Sequence, residues 1–94
     1  MSSRRTVRVT ATIVNTRGLH ARASAKFVET AARFQSEITV TKGDASVSGR
    51  SIMGLMMLAA SLGSAIELAA DGPDAQAAVN ALVALIAAKF HEDA

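Results

Sequence analysis

Four short stretches of this chain alternate apolar with polar residues, and three longer ones repeat their apolar residues every three to four positions. In only 94 residues these stripes must be buried against one another around a single core. Val7, Val9, Ala11 and Ile13 alternate with Arg8, Thr10 and Thr12, a half-buried strand. Asn15-Thr16-Arg17-Gly18 breaks it, and from Ala21 the spacing becomes helical, with Phe27, Ala31 and Phe34 on one face. Ile38 and Val40 set a second strand. Gly43-Asp44 turns the chain, and Val47 between two serines sets a short third strand, which makes a hairpin.

A compact apolar helix follows from Ile52 to Leu62, closed by Gly63, with Leu55, Leu58 and Leu62 facing the core. Ile66 and Leu68 flank Glu67 in a fourth strand. Asp71-Gly72-Pro73-Asp74 turns into a last helix, with Asp74 as N-cap and Val79, Leu82, Val83, Ile86 and Phe90 as its buried stripe. The order β-α-β-β-α-β-α predicts an α+β fold: an open-faced β-sandwich with a four-stranded, largely antiparallel sheet and three helices on one face. Residues 1–94 read as a single domain, with a loose N-terminal tail over 1–5 and a C-terminal tail over 91–94. No internal repeat or linker interrupts it.

Composition narrows the chemistry. Without cysteine there are no disulfides, zinc-thiolate sites or thiol nucleophiles, and two histidines give a metal site little to build on, so neither metal nor cofactor is expected. No apolar run approaches the roughly 20 residues that span a bilayer, and the start lacks the apolar core of a signal peptide, so a cytoplasmic protein is expected. Residues 1–50 carry nine basic and three acidic side chains, and residues 51–94 carry one basic and five acidic. Such asymmetry raises the question of nucleic acid. The basic residues are scattered, however, and no aromatic residue interleaves with them to stack on bases.

Chemistry concentrates at Gly18-Leu19-His20-Ala21-Arg22-Ala23-Ser24, where the extended run gives way to the helix. A neutral imidazole is a nucleophile, and a helix N-terminus disfavours its protonated form by about 0.3–1 kcal/mol. If His20 takes a phosphoryl group, the backbone N–H groups of the first turn, at Ala21, Ala23 and Ser24, and the Arg22 side chain can balance the new charge. A phosphoryl group held this modestly on an exposed ring can also be passed on. His91 reads as a solvated residue near a helix end.

Gly18-Leu19-His20-Ala21-Arg22, followed 31 residues after the histidine by Ser51-Ile52-Met53-Gly54-Leu55-Met56, resembles the HPr family, the histidine-containing phosphocarrier proteins of the bacterial phosphoenolpyruvate:sugar phosphotransferase system. The likeness runs from about Thr6 to Phe90. It implies that His20 accepts phosphate on Nδ1 from enzyme I and hands it to an IIA-type protein, with Arg22 as the active-site arginine. The chain would then be a substrate in a relay rather than an enzyme. The resemblance also implies regulatory phosphorylation of Ser51 by an HPr kinase. Family members commonly carry proline after the arginine, where this chain has Ala23. Ala23 with Ser24 resembles nitrogen-related or regulatory variants of the system.

Ser51 stands at an N-cap position. Ile52, Met53 and Met56 are too many apolar residues for so short a helix to bury, so they should form an exposed patch. With Ala21, Arg22 and Lys26 on the first helix, that patch is the expected docking surface for enzyme I and IIA, on a protein expected to be a monomer. The alternative reading is a regulatory interaction module, whose state at His20 or Ser51 controls a kinase, a transcription factor or a metabolic enzyme. Two others fare worse. A small nucleic-acid-binding domain would rest on the basic first half alone, and an acylphosphatase-like hydrolase lacks a water-activating group beside an arginine cradle.

Overall fold

In the computed structural model, which describes residues 5–94, the elements are β1 (Arg5–Thr12), α1 (Ala21–Ala31), β2 (Glu37–Lys42), β3 (Ala45–Ser48), α2 (Ile52–Met57), β4 (Ala65–Gly72) and α3 (Ala75–Ala87). The sheet order is β1-β4-β2-β3 and every pairing is antiparallel. The expected N-terminal tail lies outside the described residues except for Arg5, whose backbone opens β1 opposite Gly72.

Alternation decides which face of the sheet is covered. Val7 and Val9 on β1 stand opposite Ala70 and Leu68 on β4, which in turn face Ile38 and Val40 on β2. These residues meet the helices in one core with Phe27, Leu55, Leu82, Ile86 and Phe90. Full burial of side chains this large contributes about 1.5–3 kcal/mol each, and the core is accordingly aliphatic with two aromatic anchors. The opposite face carries Thr6, Arg8, Thr10, Thr12, Thr39 and Thr41, with Arg8 paired to Glu67 at 3.1 Å. β-Branched threonine suits an extended backbone while keeping that face wet.

Helix ends differ from the sequence expectation in four places. α1 stops at Ala31, so Phe34 packs from the turn beyond it and not from the helix face. α2 ends at Met57, with Leu58 as its C-cap and Ala59 left-handed at φ 52°; Leu62 therefore leaves the core and is 57% exposed. α3 ends at Ala87. Phe90 is buried from a separate turn, Lys89–His91, and Leu85 joins the buried stripe while Val83 is only partly covered.

Asp74 occupies the N-cap position of α3 but does not cap it. Its carboxylate reaches across to the α1–β2 connection, where it accepts hydrogen bonds from Ser36 Oγ at 2.6 Å and from the backbone N–H groups of Gln35 and Ser36 at 2.9 Å each. Three donors satisfy a charge better than one orphan helix N–H, so the tertiary contact wins. The Ser36 hydroxyl first, then the Gln35 amide, hold the Asp74 carboxyl below its ordinary range. A native carboxyl that titrates low contributes stability in full above about pH 5 and loses it as pH falls below about 4. Asp74→Asn should thus flatten the acid side of the stability curve: its deficit in urea midpoint against the native protein, clear at pH 7, should shrink by pH 3.

Candidate functional site

The loop between β1 and α1 is fixed before the helix begins. Ile13 donates to the Ser64 carbonyl at 2.9 Å and accepts from Gly63 at 2.8 Å, which extends the β1–β4 pairing past both strand ends. Gly18 then turns with φ 64°, so close to the neighbouring loop that a Cβ there would lie 2.3 Å from the Ala60 carbonyl oxygen. Leu19 N donates to that same oxygen at 2.9 Å. Leu19 is buried, and this pair of contacts delivers the next residue, His20, to the N-cap of α1.

His20 has extended backbone angles, φ −73° and ψ 179°, and its side chain does not cap the helix. Its carbonyl accepts the first intrahelical bond, from Ser24 N at 2.9 Å. Ser24 is therefore not available to support a phosphate as the sequence suggested: its N–H is spent on the helix, and its buried hydroxyl donates to the Leu19 carbonyl at 3.2 Å. Helix geometry leaves the N–H groups of Ala21, Arg22 and Ala23 as the first-turn donors without an intrahelical acceptor. Ala23 itself is fully buried at its side chain, so alanine here serves as a packing residue against the core.

The imidazole is less exposed than the sequence implied. Its side chain is 17% accessible because Glu92, from the C-terminal segment, covers it, with Oε2 2.5 Å from His20 Nε2. Asn15 Nδ2 donates both to the other Glu92 oxygen at 3.0 Å and to the Gly18 carbonyl at 2.9 Å. Burial by itself would push the Glu92 carboxyl up, but the hydrogen bonds from His20 and Asn15 and the nearby Lys26 charge bring it below its ordinary range. Glu92 is thus a carboxylate, and a carboxylate only accepts.

A cleft of about 510 Å³ opens over these groups, and His20, Arg17, Arg22, His91 and Glu92 contribute to its walls. Arg17 and Arg22 are exposed and make no ion pair or hydrogen bond among the described residues. Lys26 was expected at the docking surface. Its ammonium donates to the Phe90 carbonyl at 2.6 Å and ties the C-terminal turn to α1. His91 is exposed. No cluster of metal-ligating side chains exists among the described residues.

Ser51 is the N-cap of α2, its hydroxyl accepting from Gly54 N at 2.9 Å. Ile52, Met53 and Met56 are exposed as the crowding argument required, Met53 to 72%. Met57 is more exposed still, at 80%, and belongs with them. α1 and α2 pack against each other, so this apolar surface and the His20 cleft lie on adjoining elements.

The model of the family described as "PTS HPr component phosphorylation site" matches residues 7–88. The chain belongs to the HPr family. It is 58% identical over 80 residues to the phosphocarrier protein HPr of Neisseria meningitidis, which covers 85% of this chain and 90% of that one. It is also 46% identical over 81 residues to the phosphocarrier protein NPr of Shewanella violacea, covering 86% and 89%. The crystal structure of HPr from Thermoanaerobacter tengcongensis superposes with a TM-score of 0.89 at 46% identity, covering 94% of this chain and 99% of that one. As a member of this family the chain is a phosphocarrier of the phosphotransferase system, and its four-stranded antiparallel sheet with three helices is the HPr fold.

Asn15, Arg17 and Glu92 are site residues that the sequence did not single out. Arg17 had a local signal, a basic side chain beside the glycine turn. Glu92 had none, because it meets His20 across 72 residues of chain. Gly18→Ala should cost about 2 kcal/mol or more, since it forces an L-residue to a positive φ and into the Ala60 carbonyl. Chemical denaturation checks it, and the loss should exceed that of an exposed Gly43→Ala, where nothing lies within 4 Å.

Proposed function

We propose that His20 is the phosphoryl acceptor, taking the group from phosphorylated enzyme I and passing it to an IIA-type protein. The observation that carries this reading is a histidine at a helix N-terminus, on a cleft shared with two arginines that have no partner among the described residues. Three first-turn N–H groups and the guanidinium groups of Arg22 and Arg17 supply positive potential for a dianionic phosphoryl group. They do so without a metal and without enclosing the group, which leaves it within reach of the next protein. The chain contributes no general base of its own to the transfer, so enzyme I and the acceptor drive the steps, and the relay runs in the cytoplasm between a monomeric carrier and larger partners.

The exposed apolar residues of α2, together with Ala21 and Arg22, form the surface that both partners grip in turn. Lys26, held by the Phe90 carbonyl, contributes there through its stem. A second reading concerns regulation. Ser51 borders that surface, and a phosphate on its hydroxyl would bring about two negative charges beside Met53 while still lying at the positive end of α2. Phosphorylation of Ser51 by an HPr kinase would thus weaken docking without unfolding the domain. The downstream output, sugar uptake or nitrogen-linked control, depends on which IIA protein accepts.

His20→Ala should remain folded and take no label from radioactive phosphoenolpyruvate in the presence of enzyme I; a labelled mutant overturns the assignment. Met53→Glu should lower enzyme I affinity at least about tenfold, while stability changes by no more than about 0.5 kcal/mol. Treatment with HPr kinase and ATP should modify Ser51 and lower affinity in the same direction, as read by calorimetric titration. If the Met53 variant instead melts far below the native protein, that residue is core and the surface is misplaced.

A further inference from the structure

The C-terminal segment is held over the His20 ring by more than one contact. Lys89, Phe90 and His91 have φ of 56°, 54° and 61°, three successive non-glycine residues in the left-handed region. Such a run persists only where its surroundings over-determine it. Here the Phe90 side chain is fully buried, its carbonyl accepts from Lys26 Nζ, and the Ala94 carbonyl accepts from Thr16 N at 3.2 Å. The strained turn brings Glu92 back to the start of α1, where Asn15 fixes one carboxylate oxygen and His20 Nε2 meets the other. The phosphate cradle uses none of this.

We propose that Glu92 is a positioning residue for phosphoryl transfer: it holds a proton on Nε2 of His20, keeps Nδ1 free as the nucleophile, and lets the phosphorylated ring leave as neutral imidazole. The proposal rests on His20 being the acceptor and adds a role for the residue that covers it. An ionised carboxylate offers no proton, so the ring must donate, and a neutral imidazole that donates from Nε2 carries its lone pair on Nδ1. No hydrogen bond from the described residues reaches Nδ1.

The transfer then balances without a proton moving at His20. The Nδ1 pair forms a bond to phosphorus as the donor's bond to phosphorus breaks and its electrons return to the donor. The ring becomes cationic, phosphorylated on Nδ1 and protonated on Nε2, and Glu92 pairs with that charge. In the second step the acceptor attacks phosphorus, the N–P electrons return to Nδ1, and the ring is again neutral with its Nε2 proton in place. Without the carboxylate, the proton is free to settle on Nδ1 and block attack. It is also free to leave the phosphorylated ring, which would turn the departing group into a poor imidazolate. Arg17, Arg22 and His91 from the cleft wall, Lys26 from α1 and Asp93 beside Glu92 are the other ionisable groups around this pair. None of them is within hydrogen-bond distance of the ring.

The test compares the native protein with Glu92→Ala and Glu92→Gln. Nitrogen-15 shifts of the neutral His20 ring should give the Nε2–H tautomer in the native protein and in Glu92→Gln, which retains an acceptor oxygen. Glu92→Ala should show a mixture. With enzyme I and phosphoenolpyruvate, Glu92→Ala should be phosphorylated about tenfold or more slowly, the effect of losing one charge-assisted hydrogen bond. Glu92→Gln should accept nearly normally but donate more slowly, because it lacks the charge that keeps the phosphorylated ring protonated. An unchanged tautomer and unchanged rates in Glu92→Ala overturn the proposal while leaving His20 as the acceptor. Failure of the native protein to take label overturns both.

Discussion

Everything at the functional end of this molecule depends on a backbone ladder that does not stop where the strands do. β4 lies between β1 and β2, and its pairing with β1 continues through the reciprocal Ile13–Ser64 and Gly63–Ile13 hydrogen bonds into the loops. From there the Leu19–Ala60 bond and the tight approach at Gly18 carry the order of the sheet into the first turn of α1. A reactive side chain at a helix start is only as well placed as the loop that feeds it. Here that loop is stitched to residues more than 40 positions away, so the His20 backbone is set by the middle of the sheet and not by its own flexibility.

The charge asymmetry seen along the chain resolves into different jobs. Arg8 pairs with Glu67 on the open face of the sheet, Lys26 holds the Phe90 carbonyl, and the Arg50 guanidinium donates to the Phe34 carbonyl at 2.6 Å. Three cations of the basic half thus serve the fold. Arg17 and Arg22 are left on the cleft wall beside the histidine, where the proposed phosphoryl group would need counter-charge. A basic half-sequence is therefore no sign of an extended anionic partner in this case. Five of its described cations divide into three structural donors and two beside the histidine.

The strands were legible because period-two alternation is a direct image of a sheet with one covered face; Ile66, Leu68 and Ala70 alternate with Glu67 and Ala69 through the whole of β4. Helix ends were not. Leu62 belongs to an apolar run that looks helical, yet the chain turns at Ala59 and leaves it in solvent. Asp74 has the residue type of an N-cap, but three donors across a tertiary contact outbid the helix. The site divides along the same line. Gly18, His20 and Arg22 are neighbours in sequence and were readable as a group, whereas the carboxylate that covers the ring arrives through a left-handed turn that no local pattern announces. Local chemistry was visible in the sequence, and contacts between distant segments were not.

The threonine-paved side of the sheet has one last implication. Among the described residues, the large apolar side chains left in water are Val14, Leu62 and the four on α2. Of the two edge strands, β3 is only four residues long and β1 runs for eight, and the open face between them offers threonine and charge and no greasy plane. An apolar grip on this molecule is therefore to be had at α2, Val14 and Leu62, and not on the open side of the sheet.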